Sequence, residues 1–427
     1  MRVSVGLAFR KNKADIISNG RCLVHCRICG EAAKPFMSFG KMPIANGFLS
    51  SPVISDEYFF ELAPVFCEHC TTFQIAEQPA PEKMFHDHYA FFSRTSKRMV
   101  EHFKQFAQWL EENYCQDASP FVVELGSNDG IMLENFAKKN IRHLGVEPSA
   151  NVAQEARKHG VNTVSQFFSS ELADQIVAEY GQANAMTAAN VMCHIPDLHG
   201  IADGANRLLK PTGVLIFEDP YLGDMIAKTS YDQIYDEHVY IFSAHSVERI
   251  FGRYGFELID LLPQATHGGS MRYVLARKGA RTVKPIVGEI LAKEKAQGLC
   301  DAKTYERFRE NCEASKKKLV DSLKAAKAAG KKVVGYAATS KSTTVLNYCG
   351  IGPDLIDYIC DTTPLKHNTF TPGTHIPVRP YENFTQEYPD TALLFAWNHR
   401  DEVMQKEQAF AQAGGQWLTY VPHRVNT

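Results

Sequence analysis

Between residues 81 and 280 the chain alternates short apolar runs with stretches of helical period. FVVELG (121–126), HLGVEP (143–148), NAMTAANVM (184–192) and GVLIFEDP (213–220) read as strands that end in polar residues, and YVLARK (273–278) as a later one. MLENFAKKN and NVAQEARKHG between them carry helical patterns. That rhythm predicts a mostly parallel sheet covered on both faces. Residues 20–80 are different: they bear cysteines, are rich in turns and lack long periodic helices. Residues 281–427 open with helical PIVGEILAKEKAQG, break near Gly298 and continue to KKLVDSLKAAKAAG. KKVVGYAATS, LIDYICD and TALLFAW then read as buried strands, so a second, smaller α/β unit is expected there. The expected chain is thus α/β in three units, 20–80, 81–280 and 281–427.

Composition narrows the function. With 44% hydrophobic and 22% charged residues the chain is neither disordered nor collagen-like. A net charge of -2 without a long basic run argues against a nucleic-acid partner, which needs clustered cations. KKKLVDSLKAAKAAGKK (316–332) spreads its lysines around a helix and reads as a solvated face. No apolar run reaches the roughly 18 residues of a membrane span, and the first 20 residues read as a loose tail rather than a secretory signal. Eleven cysteines, four of them in two C-x-x-C pairs, fit a metal in a reducing compartment better than a disulfide framework. A cytoplasmic monomer or weak oligomer is expected.

CRIC (26–29) and CEHC (67–70) each put two sulfurs on one side of a tight turn. Together Cys26, Cys29, Cys67 and Cys70 complete a tetrahedron of soft ligands that suits Zn²⁺ and leaves no open position, which makes the ion structural. Cys22, His25 and His69 are nearby alternatives.

VVELGSNDGIML (122–133) reads as strand, Gly-containing turn and helix start. Gly126, Asn128 and Gly130 form the turn, and Glu147 ends the next strand, where a carboxylate can take both hydroxyls of a ribose. The turn is not G-x-G-x-x-G. Glu124 suits a cationic amino-acid moiety better than a pyrophosphate, which favours S-adenosylmethionine over NAD. Asn190, at the end of the fourth strand, is expected to line the same cofactor.

YDQIYDEHVY (231–240) packs tyrosines among carboxylates and a histidine. On a regular helix Tyr231 and Tyr235 would share a face and simply pack, while adjacent Glu237 and His238 would diverge. The order of the cysteine module, ELGSNDG, NVMCHIPDLHG, YDQIYDEHVYIFS, HGGSMR, GYAATSKSTTVLNYCGI and DTTPLKHNTFTPGTHIPV resembles that of the C-methyltransferases acting on nucleotide-linked 4-keto-deoxysugars. The resemblance covers nearly the whole chain beyond residue 20. It implies a class I methyltransferase Rossmann-like core, a structural N-terminal zinc module and a C-terminal α/β domain that helps hold the nucleotide sugar. It further implies that Tyr235, Glu237, His238, His194 and Tyr89 line the reaction centre, and that Ser340 and Lys341 contact the substrate. GYAATSKS departs from the GYGA of many relatives, and DTTPLKHNTF lacks the glycine that often follows its lysine.

A carbon next to a ketone becomes a nucleophile once its proton leaves. His238 is the expected base, its ordinary pKa lying near 6.5. Tyr235, Tyr89 and His194 are expected donors to the enolate oxygen, and Glu237 is expected to orient the imidazole or hold a sugar group. HGGSMR (267–272) borders the substrate or forms a tight loop; Tyr240 and His245 pack or cap. The alternatives are O- or N-methylation of a similar sugar, and a zinc protein that binds a nucleotide without turnover.

Overall fold

The computed structural model of the chain describes residues 15–16, 22–51, 56–80, 84, 94 and 97–422. Its centre is a seven-stranded sheet: β1 (Phe121–Leu125), β2 (Arg142–Val146), β3 (Thr163–Val164), β4 (Ala183–Ala189), β5 (Leu209–Pro220), β6 (Phe256–Gln264) and β7 (Ser270–Arg277). The strand order is β3-β2-β1-β4-β5-β7-β6, with β7 antiparallel to both neighbours and the other pairs parallel. This is the class I methyltransferase sheet. Every residue of β1 is buried, because helices cover both faces, and so it reads as a continuous apolar run rather than an alternating one. Chain direction reverses its sideways progress between β1 and β4, and a ligand crevice forms at such a switch point.

The C-terminal sheet repeats the idea with five parallel strands: β8 (Val333–Tyr336), β9 (Ile359–Asp361), β10 (Val378–Pro380), β11 (Thr391–Leu394) and β12 (Gln416–Leu418). Their order, β10-β9-β8-β11-β12, places a second switch point between β8 and β11. Helix Pro285–Ala296 stops before Gly298, which takes a positive φ of 73°, and a second helix runs Ala302–Ala328 from an Asp301 cap. The break expected near Gly298 is therefore there.

The cysteine-bearing residues form a hairpin, Pro64–Cys67 with Thr72–Ile75, and a third strand is added from far along the chain. Tyr240–Ile241 pairs antiparallel with Thr72–Ile75, and the Ile75 N–H donates to the Val239 carbonyl at 2.9 Å. One apolar core spans all three parts of the sequence, joining Phe39, Leu62 and Phe73 to Tyr231 and Ile234 and to Leu319 and Leu346. Tyr305 of the long helix stacks on Phe66 with ring centroids 4.0 Å apart. Among the described residues no helix is long and apolar enough to cross a membrane.

Candidate active site

Cys26 and Cys70 sulfurs lie 3.5 Å apart, as do those of Cys29 and Cys67, and all four fall within 4.8 Å of one another. A tetrahedral ion with Zn–S bonds of about 2.3 Å needs sulfur separations of about 3.8 Å, so the set fits zinc. Gln74 supports it: its amide donates to Cys26 Sγ at 3.1 Å and its carbonyl oxygen accepts the Arg27 N–H at 3.0 Å. His25 turns instead to the Gly30 carbonyl at 3.0 Å, and His69 is not part of the cluster. The side chain of Cys22 lies outside the described residues.

At the first switch point, Glu124 is the last residue but one of β1, and the chain then turns through Gly126, Asn128 and Gly130, all with positive φ (58°, 48° and 75°). A Cβ at Gly126 would lie 2.4 Å from Val191 Cγ2, and one at Gly130 2.8 Å from Val161 Cγ2. The crowding that keeps these glycines bare thus comes from neighbouring valines. Glu147 braces the turn, accepting the N–H of Asn128 at 3.0 Å and of Ser149 at 2.9 Å on its two oxygens. Each oxygen keeps a lone pair for a ribose hydroxyl. Glu124 is only 3% exposed, and its Oε2 has no partner among the described residues. Burial, with Asp129 and Glu147 nearby, pushes its carboxyl well above the ordinary range. A buried carboxyl without a partner is costly, and an incoming ammonium group supplies one. These residues fit S-adenosylmethionine. Asn190 stands at the end of β4 in a left-handed conformation (φ 56°), its N–H donating to the Glu218 carbonyl at 2.7 Å.

Tyr231–Gln233 is a single 3-10 turn, not a helix, so Tyr231 and Tyr235 do not share a helical face. Tyr231 enters the core, while Tyr235 turns to His238. The Tyr235 hydroxyl lies 2.9 Å from His238 Nε2, and His238 Nδ1 lies 2.7 Å from the Gln233 carbonyl. A carbonyl can only accept, so Nδ1 carries the proton and Nε2 offers a lone pair. The His194 ring stacks on that of His238, centroids 5.3 Å apart, and Cys193 Sγ and a nitrogen from each ring fall within 4.8 Å of one another. Burial, followed by His194, holds His238 well below its ordinary pKa, and burial lowers His194 to about 4. Glu237 does not reach the imidazole that Gln233 orients. Its Oε1 accepts from Asn46 Nδ2 at 2.6 Å, and burial raises its carboxyl to about 7. Behind His194, Asp219 accepts the Cys193 N–H at 3.2 Å, and burial raises it to about 8.

The C-terminal sheet closes the other side from its own switch point. Lys341, in the first turn of helix Ser340–Cys349, reaches the His267 carbonyl at 3.4 Å and lies over the Trp397 ring at 5.5 Å. Trp397, just past β11, donates to Asp232 Oδ2 at 2.6 Å, as does the Tyr420 hydroxyl at 2.8 Å. Of HGGSMR, residues 267–269 form a tight turn against this wall, with His267 left-handed (φ 53°) and Gly268 facing Trp397, while Ser270, Met271 and Arg272 already belong to β7. Ser340 Oγ donates to Asn46 Oδ1 at 2.9 Å, and Lys366 donates to the Ala338 carbonyl at 2.7 Å. The structure therefore gathers Tyr235, Glu237, His238 and His194 in one place and sets Ser340 and Lys341 beside them. Tyr89 lies outside the described residues. Asn46 and Lys366 lie among these residues without a signal in the sequence: Asn46 reads there as half of an N-G turn, and Lys366 as one lysine of DTTPLKHNTF.

Family models match in three blocks: a zinc binding domain over residues 26–85, a methyltransferase domain over 86–261 and a C-methyltransferase C-terminal domain over 265–422. The C-methyltransferase NovU of Streptomyces niveus is 31% identical over 94% of this chain and 96% of its own length. A ubiquinone biosynthesis O-methyltransferase of Pasteurella multocida is 29% identical over 22% of this chain and 44% of its own length. A solved magnesium protoporphyrin IX methyltransferase from Synechocystis, with S-adenosylhomocysteine bound, covers 42% of this chain and 83% of its own at 17% identity and a TM-score of 0.33.

Proposed function

The chain belongs to the C-methyltransferases that draw their methyl group from S-adenosylmethionine, and from that premise we propose that its acceptor is C3 of a nucleotide-linked 4-keto-6-deoxysugar. The observation that carries this reading is the tyrosine–histidine pair. Nε2 of His238 is a lone pair fixed in place by the Gln233 carbonyl on the far side of the ring, and a phenol hydroxyl stands beside it. Such a pair serves a substrate whose carbon-bound proton leaves while negative charge collects on an adjacent ketone oxygen. A positioned base contributes about 10²–10⁴-fold, and a preorganised donor at the oxyanion a further large share.

His238 takes the C3 proton on Nε2. The Tyr235 hydroxyl turns its hydrogen from Nε2 to the ketone oxygen, with His194 alongside. Glu237 accepts a sugar hydroxyl. S-adenosylmethionine, when bound, supplies a methyl already activated by its sulfonium. Glu124 holds the ammonium group and Glu147 the ribose. Ser340 and Lys341, with Lys366 beyond them, face the nucleotide side, and the C-terminal sheet serves as that wall. We take the three units as 20–80, 81–280 and 281–427. The alternatives, O- or N-methylation of a similar sugar, need no adjacent ketone and no exchange of a carbon-bound proton with solvent.

The test incubates the enzyme in D₂O with a panel of nucleotide 4-keto sugars and follows product mass. Solvent deuterium at C3 in the absence of methyl donor, a gain of one CH₂ in its presence, and loss of both in His238→Ala are expected. Methylation without any exchange of a carbon-bound proton points to oxygen or nitrogen as the acceptor and overturns the proposal.

A further inference from the structure

Asn46 sits where the three parts of the chain meet. Its Nδ2 donates to Glu237 Oε1 at 2.6 Å, and its Oδ1 accepts from Ser340 Oγ at 2.9 Å. Ala45, the residue before it, repeats the arrangement with its backbone: its N–H donates to Asp236 Oδ1 at 3.1 Å, and its carbonyl accepts from Thr343 Oγ at 2.8 Å. Two consecutive N-terminal residues thus grip two consecutive acidic residues of YDEH and two hydroxyls of helix Ser340–Cys349. An amide is the side chain that can do both tasks at position 46, since it offers a donor to a carboxylate and an acceptor to a hydroxyl together. Aspartate there would set a second negative charge against Glu237, and alanine would leave a buried carboxylate short of a donor.

The same segment is held from its other end. Past His238, Val239 and Tyr240 are hydrogen-bonded to the strand that carries Gln74, and Gln74 donates to the zinc ligand Cys26. The cysteine-bearing hairpin and the 45–46 turn therefore bracket Glu237 and His238 from both sides.

We propose that Asn46 is a positioning residue for the methyl-transfer reaction: it holds the Glu237 carboxylate in the orientation that receives the substrate, and makes that orientation depend on the seating of the zinc-bearing module. The proposal rests on the role given to Glu237 above. Burial raises Glu237, and the Asn46 bond and Lys366 oppose that rise. The ionisable groups that share its surroundings are Asp236, Lys366 and the Cys193 thiol, with His238 next in the chain. Loss of the amide donor disfavours the ionised carboxylate, so the acidic limb of a rate profile moves to higher pH.

The test compares zinc-loaded full-length wild type with Asn46→Ala and Asn46→Asp. For Asn46→Ala we expect kcat on a nucleotide 4-keto sugar to fall about tenfold or more, the scale of one charge-assisted hydrogen bond. Zinc content and S-adenosylmethionine affinity should stay unchanged, and the acidic limb of kcat/KM should move upward. Asn46→Asp should lose more and shift further. A second arm needs no substrate: infrared titration of the Glu237 carboxyl, assigned by difference with Glu237→Gln, should show its midpoint raised in Asn46→Ala. If the wild-type enzyme turns over no 4-keto sugar, the substrate reading fails, and the infrared arm alone decides for or against Asn46. Should Asn46→Ala fail to retain zinc, Asn46→Ser is read in its place. An unmoved acidic limb together with an unmoved carboxyl titration overturns the proposal.

Discussion

The Tyr235 hydroxyl lies 2.9 Å from Nε2 of His238, while the other ring nitrogen is tied to the Gln233 carbonyl at 2.7 Å. The ring thus cannot flip without losing a buried bond, and its basic edge always faces the phenol. His238→Ala should lower kcat by about 10²–10⁴-fold and abolish solvent exchange at the substrate carbon. Tyr235→Phe keeps the ring but loses the hydroxyl, and should cost about 10²–10³-fold in kcat with little change in KM. Steady-state kinetics with isotope exchange checks both. Full activity of Tyr235→Phe would remove the phenol from the reaction.

Glu124 is a buried carboxyl whose Oε2 has no partner among the described residues. Glu124→Gln keeps the shape and removes the charge. Calorimetry should find S-adenosylmethionine bound about tenfold or more weakly, as expected for loss of a charged hydrogen bond. In alkaline buffer the ligand-free variant should melt at a higher temperature than wild type, because it has no buried carboxyl left to ionise there.

Stability of the ligand-free chain should fall as pH rises through neutrality. Asp219 and Glu237 are raised by burial to about 8 and about 7. Folding therefore retains protons that the unfolded chain releases in the ordinary carboxylate range. Through these two groups the native state keeps protons that the unfolded state has lost; below about pH 6.5 the buried His194 and His238, held neutral when folded, act in the opposite sense, so unfolding free energy declines from about pH 6.5 to about pH 8. Melting temperatures recorded through it should slope downward, and Asp219→Asn should flatten the slope. A slope unchanged by that substitution would mean that Asp219 titrates normally in the folded chain.

Removing zinc should stop the reaction without touching the cofactor turn. Cys67→Ser breaks one of four ligands, and metal analysis should show zinc lost. Activity should fall in step with zinc content, because the Gln74 strand that holds Val239 and Tyr240 is anchored through Cys26. Residual protein that still binds S-adenosylmethionine at wild-type strength would separate this effect from global unfolding.

Gly268→Ala probes the far wall. A Cβ there would lie 2.2 Å from the Trp397 ring, at a φ of +84°. Trp397 and the C-terminal sheet behind it must shift, and KM for the nucleotide sugar should rise on the order of tenfold to a hundredfold, with S-adenosylmethionine affinity retained.

The elements legible in sequence were those written in local pattern. The strand runs of the central sheet, the paired cysteines, and the Glu124 and Glu147 carboxylates each follow from spacing within some tens of residues. Asn46 was not legible, since its partner Glu237 stands 191 residues away and only the fold brings them together. The anchor of His238 is a backbone carbonyl, which no side-chain pattern displays. The ordinary pKa expected for His238 failed for a related reason: burial and a second imidazole, invisible to composition, hold it far lower. Tyr231 and Tyr235, spaced for one helical face, part company because the chain makes a single 3-10 turn there.

Tyr240–Ile241 belongs by chain order to the methyltransferase region and by hydrogen bonding to the cysteine-bearing sheet. Exchange of parts between related enzymes must respect that crossing. A chimera cut between the two regions by sequence alone inherits a reactive segment whose mould has stayed behind in the donor.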